Sequence, residues 1–142
     1  MKVSEVMTPQ ARIASPDDSL SHIAKVMADE HIGFLPVGEN DRLVGMITDR
    51  DMVVRALAKG RDGNSHVRDC MTKDVKYCFE DDELDKVVRS MGEQKVRRMP
   101  VINRDKRLVG VVSLGDEARN GGQGMVGDAL SHIAEPGGPH AT

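Results

Sequence analysis

Two stretches of the sequence set a hydroxyl, two spacer residues and a carboxylate directly after an apolar run. They read Gly45-Met46-Ile47-Thr48-Asp49-Arg50-Asp51 and Gly110-Val111-Val112-Ser113-Leu114-Gly115-Asp116. If the apolar run is a strand and the acid opens a helix, two kinds of chemistry fit. One is structural: Ser/Thr-x-x-acid is close to a capping box, in which hydroxyl and acid satisfy the first amides of the helix. The other is ligand binding. A strand-to-helix junction presents free N–H groups and a positive dipole end, and a carboxylate beside it can accept hydrogen bonds from both hydroxyls of a ribose. The same pattern at two matching places strengthens the binding reading. Thr48, Asp51, Ser113 and Asp116 are therefore candidate binding residues.

A second candidate is Val96-Arg97-Arg98-Met99-Pro100, where two arginines run into an apolar strand. A guanidinium has the planar fork that suits phosphate. The competing reading is a solvated strand edge that uses charge to discourage pairing. The matching place in the first half reads Gly33-Phe34, so the fold does not require a basic pair there. That asymmetry between the halves is informative, since only one of them brings a basic pair to this strand.

Catalysis finds no support. No nucleophile is paired with a base, and lone residues such as Cys78, Tyr77 or His31 do not make a site. The five histidines (22, 31, 66, 132, 140) form no i, i+4 pair, so no metal site is expected. Cys70 and Cys78 match Val6 and Ala14 in the other half, which are small apolar slots. Both thiols are expected to be unpaired packing residues.

The elements that position these residues also come in duplicate. Val3, Met7, Thr8, Asp17, Asp18, Leu20, Met27, Pro36 and Val37 recur 64 positions later as Val67, Met71, Thr72, Asp81, Asp82, Leu84, Met91, Pro100 and Val101. After one inserted residue the offset is 65, and Asp51 recurs as Asp116. Each copy reads as a short helical turn (Val3 to Met7; Val67 to Met71), then an extended piece (Ala11 to Ala14; Val75 to Phe79). An amphipathic helix follows, with Leu20, Ile23, Ala24 and Met27, or Leu84, Val87, Val88 and Met91, at i, i+3, i+4, i+7. Asp18 or Ser19 is the expected N-cap of the first, and Asp81 or Asp82 of the second. A hairpin comes next, Phe34 to Val37 with Leu43 to Thr48, and Arg98 to Ile102 with Leu108 to Ser113. The prolines in the first strands, Pro36 and Pro100, point to an edge or a strand end. The first copy closes with a helix from Asp49 to about Lys59, ended by Gly60 and burying Val53, Ala56 and Leu57. Asn120-Gly121-Gly122 interrupts its counterpart, and a further helix is expected from Asp128 to Glu135, with Ala129, Leu130, Ile133 and Ala134 apolar.

The fold class is thus α+β, a β-α-β-β-α unit given twice. Each copy of about 60 residues buries too little surface to be secure alone, so the two are expected to pack as one module about a pseudo-twofold axis. The 142 residues are 39% hydrophobic and 30% charged, with formal net charge -3 and mean hydropathy -0.40. No broad cationic field and few aromatics argue against a nucleic-acid partner. The absence of a long apolar run or a signal-peptide pattern leads to the expectation of a cytoplasmic protein without membrane contact.

The ordered, duplicated set resembles a pair of CBS domains, together called a Bateman module. The signatures are Val6-Met7-Thr8 with Cys70-Met71-Thr72, Leu35-Pro36-Val37 with Met99-Pro100-Val101, and Gly-apolar-apolar-Thr/Ser-x-x-Asp in both copies. On this resemblance, residues 1–62 are the first repeat with its short N-terminal helix and 63–120 the second. Residues 121–142, for which the family offers no clear counterpart, are expected to be a Gly-rich extension with a short helix followed by a disordered tail. The resemblance implies a regulatory module rather than an enzyme, binding AMP, ADP, ATP, NAD or S-adenosylmethionine between the copies. Asp51 and Asp116 would hold ribose, with Thr48 and Ser113 beside phosphate or ribose and Arg50 among the binding residues. Arg12, Ile13, Lys76, Tyr77, Ile32, Gly33, Phe34, Val96, Arg97, Met99 and Pro100 would frame the base, and Arg97-Arg98 would meet phosphate. The site of Thr48 and Asp51 would face Lys76, Tyr77, Arg97 and Arg98, and that of Ser113 and Asp116 would face Arg12, Ile13 and Gly33. A homodimer formed through the helices, and a regulated protein partner, are also implied. The alternative is a structural or stress-associated homodimer with empty clefts.

Overall fold

The computed structural model describes residues 1–120 and 122–135. In chain order the elements are β1 (Thr8–Pro9), α1 (Leu20–Glu30), β2 (Phe34–Glu39), β3 (Arg42–Thr48), α2 (Asp49–Asp51), β4 (Cys78–Phe79), α3 (Leu84–Gln94), β5 (Arg98–Ile102), β6 (Leu108–Ser113), α4 (Leu114–Arg119) and α5 (Gln123–Ile133). Short 3₁₀ turns, Val3–Glu5 and Val67–Asp69, open the two copies. The expected α+β class and duplicated element order are both present.

Contacts divide the chain into two compact units, and their limits differ from those of the sequence copies. The central unit is Arg12–Val75; the terminal unit joins Met1–Ala11 to the chain from Lys76 onward. Each copy's opening segment is therefore built into the unit of the other copy's helices and hairpin. In the terminal unit β1 pairs antiparallel with β6, Thr8 opposite Val111, and the sheet order is β1-β6-β5-β4. In the central unit the same order appears in reduced form. The β2–β3 hairpin is flanked by single bridges, Met46 with Thr72 and Ala14 with Val37.

Glycine in the Gly-x-x-hydroxyl motif explains this close seating. A Cβ on Gly110 would lie 2.6 Å from the Thr8 carbonyl oxygen, and one on Gly45 would lie 2.9 Å from that of Thr72. Only a residue without a side chain lets the opening segment approach the strand.

In α1, Ser19 is the N-cap and its hydroxyl accepts from the His22 amide. The N-cap of α3 is Glu83 rather than Asp81 or Asp82, and it makes no side-chain cap. Asp82 instead accepts from the Phe79 amide, as Asp18 does from Ser15 in the central unit. Each acid thus accepts from the amide three residues before it and closes the turn that leads into the helix. The α3 stripe Leu84, Val87, Val88 and Met91 is buried throughout, each side chain contributing about 1.5–3 kcal/mol. In α1 the stripe shifts: Val26 is buried and Ala24 exposed.

Three further expectations are corrected. Pro100 sits in β5, an inner strand between β6 and β4, rather than at an edge. The helix from Asp49 does run to Lys59 and end at Gly60 (φ 79°), but through a π turn, Met52–Ala56, and a 3₁₀ turn, Leu57–Lys59. Of its expected buried stripe only Ala56 is buried, while Val53 and Leu57 are 56% and 66% exposed. The last helix starts at Gln123 and buries Val126, Ala129 and Ile133, leaving Leu130 and Ala134 exposed. It packs closely on α3, where a Cβ on Gly92 would lie 2.9 Å from Ala129 Cα. The tail expected to be disordered, 136–142, lies outside the described residues.

Candidate functional site

The β3–α2 and β6–α4 junctions have the same construction. Thr48 accepts from the Asp51 amide at 3.0 Å, and Asp51 Oδ2 accepts from the Thr48 amide at 3.1 Å. Ser113 and Asp116 repeat this reciprocal pair at 3.3 and 2.8 Å. The capping boxes foreseen in the sequence are therefore real. They use one carboxylate oxygen of each acid, Oδ2, and leave the other for different partners.

Burial sets these acids apart. Asp51 and Asp116 are 8% and 5% exposed, and with Glu117 they make up the buried polar residues among those described. A buried carboxylate is stable only with compensating hydrogen bonds or charge. Asp51 Oδ1 has Arg55 Nε at 3.6 Å, and the Thr72 hydroxyl lies 3.4 Å from both oxygens. Asp116 Oδ1 accepts from the Arg119 guanidinium.

The strand starts lie beside the junctions within each unit. Phe34 pairs with Thr48 in the central unit and Arg98 with Ser113 in the terminal one. The Gly33 carbonyl accepts from the Asp49 amide at 3.0 Å, and the Arg97 carbonyl accepts from Leu114 at 3.1 Å. A Cβ on Gly33 would lie 2.6 Å from the Asp49 carboxylate, so the small residue leaves room for that acid.

The remaining candidates divide between surface and core. Arg12 is ion-paired to Glu30 at 3.2 Å, and Ile13 is 45% exposed. Ile32 and Val96 are half-buried against their units' cores. Arg50, Lys76, Arg97 and Arg98 are exposed, whereas Phe34, Met99 and Pro100 are buried. Tyr77 is half-exposed and meets Phe79 edge-on, ring centroids 5.9 Å apart.

Sequence reasoning missed Arg55, Arg119 and Thr72. The two arginines follow their acids by four and three residues, a spacing at which helical side chains meet. Thr72 belongs to the Met-Thr signature of the second copy, and only the seating of that segment in the central unit brings it to Asp51.

A CBS domain model matches residues 3–57 and 67–116. The chain belongs to the CBS domain family. It is 34% identical over 133 residues to the CBS domain-containing protein YhcV of Bacillus subtilis, covering 93% of this chain and 94% of that one. Among solved structures, CBSX2 in complex with AMP superposes with a TM-score of 0.74 at 27% identity, covering 86% of this chain and 96% of its own. The CBS domain pair of MJ0100, in complex with 5′-methylthioadenosine and S-adenosyl-L-methionine, gives 0.75 at 27% identity, covering 87% and 98%.

Other features of this CBS pair bear on what it can hold. No group of three or more potential metal ligands occurs among the described residues. No helix of the described residues is long and apolar enough to cross a membrane. An apolar groove of about 340 Å³ lies in the central unit, lined by residues that include Leu20, Ala24, Met27, Met52, Ala56 and Leu57. Thr48 and Asp51 are not part of its lining.

Proposed function

We propose that the chain is a regulatory module that binds adenosine-containing ligands, of the class AMP, ADP, ATP or NAD, and carries no catalysis of its own. The observation behind this reading is the matched pair of buried acids. Each is held by its capping box through Oδ2 and keeps Oδ1 for another donor. Capping alone does not need a buried acid with a second oxygen served separately. A ribose offers two hydroxyl donors to such a carboxylate, and two relatives of similar fold hold adenosine compounds.

In this reading Asp51 and Asp116 take ribose, with Thr48 and Ser113 beside them. Arg97 and Arg98, exposed at the head of β5, take phosphate. Arg12, Ile13, Ile32, Gly33, Lys76, Tyr77 and Val96 complete the base and phosphate surroundings. Calorimetry with AMP, ATP, NAD, S-adenosylmethionine and guanosine monophosphate tests the proposal. Saturable heats with the adenosine compounds and weaker ones with the guanosine compound support it. Absence of binding to every adenosine compound overturns it.

A homodimer belongs to the same proposal. Val53, Val54 and Leu57 are exposed, and Val53 and Leu57 line the apolar groove; an exposed apolar surface of this kind suits a twofold contact between copies. The signal passes through that assembly or to a regulated protein.

A further inference from the structure

Arg55 and Arg119 meet the same oxygen of the two buried acids, Oδ1, yet they do not occupy the same position in the repeat. In the register that aligns Asp51 with Asp116, Arg55 matches Asn120 and Arg119 matches Val54. Duplication explains why there are two acids and two capping boxes. It does not explain why a guanidinium reaches the uncommitted oxygen in both units, once from i+4 and once from i+3.

The two partners of each pair differ in freedom. The acid side chains are 11% and 6% exposed and pinned by the box, while the Arg55 and Arg119 side chains are 50% and 71% exposed. A pair with one partner in solvent and a long flexible stem is weakly held. The guanidinium can leave; the carboxylate stays. In the central unit the Thr72 hydroxyl also lies 3.4 Å from both Asp51 oxygens, a contact that does not depend on Arg55.

We propose that Arg55 and Arg119 are specificity-setting gates. Each holds the position on Oδ1 that a ribose hydroxyl takes, and yields it when ligand arrives. This rests on the ribose role of Asp51 and Asp116. Every ligand loses an ion pair on entering. A phosphorylated ligand recovers that loss, because the released guanidinium remains near a new anion. A neutral nucleoside does not recover it. The gates therefore bias the sites toward nucleotides over adenosine without touching the base.

The test titrates adenosine and AMP into the parent and into the Arg55→Ala/Arg119→Ala protein by calorimetry. Arg55→Gln/Arg119→Gln serves as a second variant that keeps most of the stem if alanine disturbs folding. Adenosine should bind roughly two- to fivefold tighter to either variant, the range expected from removing a weakly held ion pair whose arginine lies in solvent. AMP should be unchanged or weaker, so the preference for AMP narrows. Unchanged or weaker adenosine binding in the variants overturns the gate while leaving the ribose reading in place. Asp51→Asn/Asp116→Asn in the arginine-substituted background separates the two ideas. Binding that survives it, or no binding of either ligand to any of the proteins, overturns the ribose reading and the gate with it.

Discussion

The Thr72 hydroxyl lies 3.4 Å from both carboxylate oxygens of Asp51, which joins the opening of the second copy to the acid of the first. The backbone supports this contact. Thr72 and Met46 exchange amide hydrogen bonds at 2.8 and 2.9 Å, on the strand that leads to the junction. Thr72→Val keeps the shape and removes the donor. Combined with Asp51→Asn in a double-mutant cycle, it should reveal a coupling of about 0.5–1.5 kcal/mol, the range of a single hydrogen bond. Chemical denaturation of the four proteins measures it, and additive losses would show that the hydroxyl and the acid do not interact.

The contact of α5 with α3 depends on a missing side chain. Gly92→Ala should destabilise by about 1–3 kcal/mol, as expected for overpacking, because its Cβ meets Ala129 at 2.9 Å. Gly127 lies in α5 with open space around a Cβ. Gly127→Ala should therefore stabilise by about 0.5–1 kcal/mol through helix propensity. Denaturation midpoints of the two variants should move in opposite directions, and equal movement would contradict the packing of α5 described here.

The thiols offer a pH signature. Burial pushes the Cys78 thiol up from 9.0 to about 12, with the nearby Asp82 charge adding to it. Burial likewise raises Cys70, followed by the charges of Asp51 and Asp69. A thiol whose value is raised on folding gives up no stability below the unfolded value near 9.0. Above it the unfolded chain ionises first, so stability falls as pH rises toward about 12. Cys78→Ala, which installs the residue found at the matching position Ala14, should flatten this alkaline decline in melting temperature. Parallel declines in parent and variant would mean that Cys78 is not shielded. Native labelling of both thiols should be slow, since neither is in a disulfide and both are buried.

Much of the fold was legible because the sequence repeats itself. Leu84, Val87, Val88 and Met91 follow the helical period and are all buried, and both hairpins are where their apolar runs lie. The helix after Asp49 was legible in length but not in burial. Periodicity assumes an even 3.6-residue turn, whereas this segment contains a π turn at Met52–Ala56, and Val53 and Leu57 are exposed. Glu83 escaped as a cap because two better capping residues precede it and close the turn instead. At the site, the acid and hydroxyl were readable from their spacing. Thr72 was not, since its role depends on a segment distant in sequence.

Arg97 and Arg98 carry the expectation about phosphate. Both are exposed at the head of β5, and Arg98 lies across the ladder from Ser113. A charge-assisted contact to phosphate is worth roughly 1.5–3 kcal/mol, or about ten- to a hundredfold in affinity. Arg97→Ala/Arg98→Ala should lower AMP affinity by that order and leave adenosine nearly unchanged. Equal AMP affinity in parent and variant would make the pair surface charge.

The most direct test of the account removes both acids. Asp51→Ala/Asp116→Ala should lower stability by about 1 kcal/mol at each junction, the usual effect of a lost cap, while the protein still folds. Calorimetric titration of AMP into this variant, beside thermal melts with and without AMP, separates capping from binding. The account predicts that the parent binds AMP and is stabilised by it, whereas the variant shows neither the heat nor the shift. A variant that binds AMP as tightly as the parent would contradict the ribose role and leave these residues as helix caps alone.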